Sequence, residues 1–209
     1  MSSTSSKPLP LDASSAATYF QTSRLLFRAC KDTPADSALI HRSEADTSDH
    51  LFASGGIQKP ENVKRTDEFR KWLMNDTIIG IIICLLPDPS TPDDEPIPVG
   101  TASIDAIHGP IHRGGMIGIS ILKEHRGKGY GEETIRWLTS WGFKAYGLHR
   151  IERNYFSWDE GAGKLYRKIG SREEGRLRER YWFNGVWGDE FVMAVRAEEW
   201  DVVENKRRE

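Results

Sequence analysis

Cysteine is scarce in this chain: there are two among 209 residues, Cys30 and Cys84. They are far apart and one lies inside an apolar run. That argues against a disulfide framework or a thiolate metal site and for buried core thiols in a reducing compartment. Net charge is also small, with 29 Lys+Arg against 31 Asp+Glu. Nothing in that balance points to nucleic acid or a membrane surface as a partner, and any polyanion bound should be small. Long hydrophobic runs are missing too. The longest, IIGIIICLL at 78–86, falls well short of the ~20 residues that span a bilayer and reads as a buried strand. Arginine is absent before Arg24, and the opening MSSTSSKPLPLDASSAAT has no continuous apolar stretch. Residues 1–20 are therefore expected to be a disordered leader rather than a signal or transit peptide, and the expected compartment is the cytoplasm.

The rest of the chain alternates between two periodicities. A strand is expected over 23–30, followed by a helix signalled by Thr33 as cap and Pro34 at the next position. Val63, Phe69, Trp72 and Leu73 recur at roughly helical spacing over 61–75, before the strand at 77–86. PDPSTPDDEPIP (87–98), with five prolines, cannot be a helix or strand interior and is expected to be a mobile hairpin tip leading to a strand at 99–107. Then come a strand at 115–122, a helix at 131–147, a strand at 150–158, a helix at 160–169, and a hairpin over 172–195 turned near Asn184-Gly185. The order β α α β β β α β α β β predicts an α+β or mixed α/β domain with a mostly antiparallel sheet flanked by helices. The expected division is one domain over 21–200 and a charged tail over 201–209.

The stretch HRGKGYGEETIRWL (125–138) crowds glycines and cations into a turn ahead of a helical pattern. A Walker loop fails, because Lys128 is followed by Gly129 and the earlier spacing is wrong. A dinucleotide fingerprint fails as well, because counting from Gly127 and Gly129 puts Glu132 where the third glycine belongs. What remains is a strand, Arg126-x-x-Gly129-x-Gly131, and a helix with the apolar stripe Ile135, Leu138, Gly142 and Ala145. Glycines admit close backbone approach, first-turn N–H groups are unpaired donors, and Arg126 and Lys128 add charge beside them. The turn reads as a site for a phosphate-bearing ligand.

RGKGYG matches, at each fixed position, the acetyl-CoA pyrophosphate loop of the GCN5-related N-acetyltransferases (Arg/Gln-x-x-Gly-x-Gly/Ala). The chain over about 22–196 resembles that family, and the surroundings look most like its RimJ/RimL-like subgroup, which acts on ribosomal-protein alanine and small amines. The resemblance implies the acyl-CoA N-acyltransferase fold and acetyl-CoA as co-substrate with no metal. The implied acceptor is an amine, either a small molecule or a peptide N-terminus, and the chain would be a monomer or homodimer. The cofactor set it implies is Arg126, Gly127, Lys128, Gly129, Tyr130 and Gly131. To these it adds the backbone of Ile119 and Ile121, on a strand splayed from its neighbour so that pantetheine pairs with it like an added strand, and Asp159 near the pantetheine arm. The family often has Asn where Asp159 stands, and an aromatic where Ser171 follows the Tyr-x-x-x-Gly turn.

Acetyl transfer needs a neutral amine, donors for developing negative charge on the carbonyl oxygen, and a proton for the departing thiolate. Tyr166 matches the family's tyrosine near the cofactor sulfur, and its ordinary pKa of ~10 lies just above the ~8.5 of a thiol. Asp105 ranks first as base, ahead of Glu152, Asp189 and Glu190. His108 and His112 read as solvated loop residues: Pro110 between them and the lack of a third donor argue against a metal. For the acceptor, HRSEADTSDHLF (41–52) and an aromatic wall of Tyr181, Trp182, Phe183 and Trp187 are expected, with Asp189 or Glu190 drawing in a positive amine. The alternative function is a non-catalytic acyl-CoA-binding sensor of the same fold.

Overall fold

The computed structural model describes residues 19–46, 60–91 and 93–208. The elements are β1 (Leu25–Ala29), α1 (Pro34–Ala45), α2 (Val63–Asn75), β2 (Ile79–Leu85), β3 (Ile97–Ile107), β4 (Gly114–Ile121), α3 (Tyr130–Trp141), β5 (Arg150–Phe156), α4 (Glu160–Lys168), β6 (Arg172–Phe183), β7 (Val186–Arg196) and α5 (Ala197–Arg208). The caps arise as the residues dictate. Thr33 is extended and its side chain accepts from the Asp36 N–H, with Pro34 at the start of α1; Asn62 does the same for Arg65 ahead of α2. Asn184 and Gly185 both take positive φ, 45° and 87°, which gives the tight β6–β7 hairpin its twist.

The strands form one sheet in the order β1-β2-β3-β4-β5-β7-β6. Every neighbouring pair is antiparallel except β4 and β5. The Ile-rich run is continuously apolar because both faces of β2 are covered. Ile81 and Ile83 pack with Ile135, Leu138 and Trp200 from α3 and α5, whereas Ile82 and Cys84 pack with Leu39, Ile40 and Leu73 from α1 and α2. Both cysteines are buried and free, as expected. Burial pushes the Cys30 thiol up to about 11 and raises that of Cys84, so neither is a ready thiolate.

Five local expectations are corrected. Pro98 lies inside β3, where the partner of Cys84 is Pro98 and that of Ile83 is Gly100; the bulge at Val99 spares the ladder the missing N–H. Val63 opens α2 exposed, and the inward face is Thr66, Arg70 and Leu73. Ala145 points to solvent, because α3 continues through Gly142–Tyr146 as a wider π turn that shifts the phase of its stripe. The expected charged tail over 201–209 is helical through Arg208 as part of α5, anchored by Trp200, which is buried and donates to Ser140 Oγ at 3.0 Å. Of the expected leader, 1–18 lie outside the described residues. Tyr19 and Phe20 pack on the domain: the Tyr19 carbonyl accepts from Trp137 Nε1 at 3.1 Å, and Phe20 packs on the same ring.

One feature of the sheet positions the site. β4 and β5 pair only at Gly114 with Arg150, Gly115 with Ile151 and Met116 with Glu152. Beyond that they diverge, β4 running on to Ile121 and β5 to Phe156.

Candidate active site

The divergence opens a cavity of about 630 Å³, lined from both faces of the sheet. Gly131 and Ile135 of α3 and Ala162, Leu165 and Tyr166 of α4 line it on one side; Ser43, Phe69 and Trp72, with Asp105, Asn154 and Glu190, line it on the other. β4 runs between the two halves. The Leu122 N–H bonds to the Val99 carbonyl at 2.9 Å. By the alternation of an antiparallel ladder, the backbone groups of Ser120 and Gly118 therefore also face β3, while those of Ile117, Ile119 and Ile121 face the gap. The expected splay and the expected Ile119 and Ile121 donors are thus on the open edge. The Ile121 carbonyl is already engaged by Arg126 Nε at 2.7 Å, which leaves Ile119 the more accessible.

The glycine turn leads from β4 into α3. Gly127 and Gly129 take φ of 74° and 85°, a region costly for any residue with a Cβ. Gly129 caps α3 without a side-chain bond, and the first closing bond runs from the Glu133 N–H to the Gly129 carbonyl. The N–H groups of Tyr130, Gly131 and Glu132 lie outside the helix ladder, which makes a ready cradle for a pyrophosphate. The carboxylates beside this cradle are neutralised: Glu132 by Arg136 and by Lys168 at 2.7 Å, Glu133 by Arg24 at 2.6 Å, with the Thr22 hydroxyl also donating to it. Arg126 does not project into the turn as expected. It turns back toward β4 and pairs with Asp46 at 3.2 Å. Lys128 contributes its carbonyl to Arg24 Nη1 at 3.0 Å, and the same guanidinium lies 4.9 Å over the Tyr130 ring. Arg24 is thus the arginine that braces the turn, a role that nothing in the local motif signals because it comes from the residue just before β1.

Tyr166 lines the cavity. Burial holds its phenol above the ordinary range, against the pull of the nearby Arg153 guanidinium. Asp159 caps α4 by accepting from the Ala162 N–H at 2.9 Å, and it too lines the cavity. Asp105, on β3, has its Oδ1 buried without a hydrogen-bond partner, while Ser103 Oγ lies 3.4 Å from Oδ2. Burial pushes its carboxyl up to about 6. It is a carboxylate aimed into the cavity with a basicity suited to taking a proton near neutral pH.

Of the other carboxylates, Glu190 and Asp189 sort by the two-residue period of β7, and Glu152 lies where β4 and β5 still pair. Glu190 lines the cavity, buried, and accepts from Asn154 Nδ2 at 2.9 Å. Its neighbour Asp189 faces the other way, tied to Arg176 and to the Glu179 N–H, both of which hold its carboxyl below the usual range. Glu152 pairs with Arg150 at 2.8 Å and does not line the cavity. The aromatic wall splits as well. Tyr181 lines the cavity and meets Phe156 edge-on at 4.8 Å, whereas Trp182 and Trp187 pack on each other at the exposed hairpin. Of the acceptor stretch at 41–52, residues 47–52 lie outside the described residues, and Ser43 and Glu44 line the cavity. Among the described residues no cluster of three metal-ligating side chains occurs. No helix is long and apolar enough to cross a membrane.

A model of the acetyltransferase (GNAT) domain matches residues 24–172. The probable N-acetyltransferase YjcK of Bacillus subtilis is 33% identical over 97 residues, 46% of this chain and 54% of that protein. The ribosomal protein uS5-alanine N-acetyltransferase of Escherichia coli is 26% identical over 110 residues, 52% of this chain and 56% of that one. The chain thus spans about half the length of the curated relatives it matches. A solved spermidine N-acetyltransferase of Vibrio cholerae, in complex with CoA and spermine, superposes with a TM-score of 0.71 at 22% identity, covering 86% of this chain and 99% of that one. That likeness fixes the fold.

Proposed function

This chain belongs to the acetyltransferase (GNAT) family, and from that premise we propose that it moves the acetyl group of acetyl-CoA onto the primary amine of a small, positively charged acceptor. The observation that carries the acceptor class is the lining of the cavity. It includes the carboxylates of Asp105, Asp159 and Glu190, the last 3.8 Å from Arg180 outside the lining, and, among the described residues, no lysine, arginine or histidine. Such a lining attracts a polycationic amine and gives no partner to an acidic one. A peptide N-terminus, which the RimJ/RimL-like resemblance allows as well, is the competing choice; it brings one ammonium to these carboxylates where a polyamine brings several.

Acetyl-CoA, when bound, supplies an activated acyl thioester. The first-turn N–H groups of α3 would hold its pyrophosphate, and the open backbone of Ile119 would pair with its pantetheine arm. The Ile119 N–H is the donor best placed to meet charge building on the carbonyl oxygen. Asp105 would take the proton of the attacking amine from the α1/α2 side of the sheet. Tyr166, on the α3/α4 side, would give a proton to the departing sulfur. Tyr181 and Glu190 would orient the cationic acceptor by its charge.

A thiol-release assay with acetyl-CoA tests this, using polyamines, aminoglycosides, amino acids and short peptides as acceptors. Turnover is expected on a polyamine and on no acidic acceptor. Turnover confined to peptides would move the acceptor to the competing class. Tight acetyl-CoA binding by calorimetry with no turnover on any amine would favour the acyl-CoA-binding sensor.

A further inference from the structure

Arg153 lies on β5 with its side chain entirely buried. Its Nη1 donates to Ser171 Oγ and its Nη2 to Thr139 Oγ1, both at 2.8 Å, while its Nε is buried with no partner. Two hydroxyls satisfy part of the guanidinium without cancelling its charge. Among the described residues it forms no ion pair, whereas the other buried arginine, Arg70, pairs with both Asp32 and Asp67, and Arg136 pairs with Glu132 and Glu204. A buried, uncompensated cation is costly, and an apolar side chain of similar volume would fill the space at less expense. Ser171 is itself buried and small, and the Arg153 guanidinium reaches its hydroxyl. What the charge faces is Tyr166, whose ring centroid lies 5.9 Å from Arg153 Cζ.

We propose that Arg153 is a positioning residue for acyl transfer, fixing the Tyr166 ring and supplying the positive charge against which its phenol gives up a proton. The proposal rests on the acetyl-transfer reading above. In the step it serves, the amine nitrogen bonds to the acyl carbon, the carbon–sulfur bond breaks, and the amine proton passes to Asp105. Tyr166 hands its Oη proton to the departing sulfur, and the phenolate left beside Arg153 is reprotonated from solvent. Other groups facing Tyr166 are Asp159, from the start of α4, and the Tyr155 ring, edge-on at 6.3 Å; Arg136 acts on Arg153 from α3. Of these Asp159 disfavours the phenolate, so the favourable charge comes from Arg153. Burial lowers the Arg153 guanidinium to about 10, which leaves it charged at neutral pH.

The experiment places 3-fluorotyrosine at position 166 and follows its titration by fluorine NMR, in the otherwise unchanged protein and with Arg153→Met. The midpoint is expected to rise by about one pH unit or more when the charge is removed, and to stay near its original value with Arg153→Lys. In parallel, Arg153→Met should lower kcat roughly tenfold while acetyl-CoA affinity is unchanged, and the loss should vanish in a Tyr166→Phe background. Should Arg153→Met fold poorly, Arg153→Met with Ser171→Phe restores the lost volume and carries the same measurement. An unmoved midpoint, or an equal loss with Tyr166→Phe, would overturn the proposal and leave Arg153 a structural residue. If the protein acetylated no amine at all, the proposed function would fall, while the titration would still decide the role of Arg153.

Discussion

The two halves of the cavity are built by different means. On the α3/α4 side the ligand-facing groups are mostly backbone: first-turn N–H groups, positive-φ glycines and the open edge of β4. On the α1/α2 side they are side chains from separate strands, with Asp105 on β3, Asn154 on β5 and Glu190 on β7. A backbone-built half constrains which residues are tolerated and so leaves a pattern in the sequence. A side-chain-built half can place any chemistry on the same scaffold, and its pattern appears only after folding.

Removing the proposed base tests the second half hardest. Asp105→Asn is expected to lower kcat roughly 100-fold and to abolish the acid limb of the pH profile near 6. It should also stabilise the protein at neutral pH. The carboxyl is raised in the folded state, so its ionisation costs stability as pH rises from the unfolded value toward about 6. Melting curves at pH 4 and pH 7 should therefore diverge less for the variant than for the parent. Gly129→Val attacks the first half, since a β-branched residue at φ 85° is strained and its Cβ would lie 3.3 Å from Arg24 Nη2. Acetyl-CoA affinity by calorimetry should fall roughly 10- to 100-fold, with acceptor affinity unchanged. The smallest effect separates the halves most cleanly. Glu190→Gln retains an acceptor for Asn154 and should raise KM for a cationic amine about fivefold, with the effect shrinking in high salt and no change in acetyl-CoA KM.

Legibility in the sequence followed the same division. The Thr33-Pro34 start, the Asn184-Gly185 hairpin and the glycine turn are local signals, and the structure places all three as expected. The place of Asp105 in the cavity lining was legible because its strand neighbours the open edge. The choice between Asp189 and Glu190 depended on the β5–β7 register, in which Phe156 pairs with Glu190, and no local signal carries a register between strands so far apart. The brace of Arg24 on Glu133 and Lys128 spans more than 100 positions and left no mark in the motif. α5 was missed because charge dominates its composition and only Trp200, with Val203 three positions on, marks an inward face. Ala145 was misplaced because a change of helical pitch is a property of the folded backbone.

The divergence of β4 from β5 also has a thermodynamic meaning. The amide of Ile119 lies on a sheet edge without a neighbouring strand, so before ligand binds it should exchange its hydrogen with solvent far faster than the amide of Ile104, inside the β2–β3–β4 ladders. A ligand that completes this edge becomes part of the folded state, and its binding energy adds to the stability of the protein, by about 2.7 kcal/mol at a concentration 100 times Kd. The melting temperature is then a binding isotherm in disguise: whichever acyl-CoA best fits the slot should raise it most.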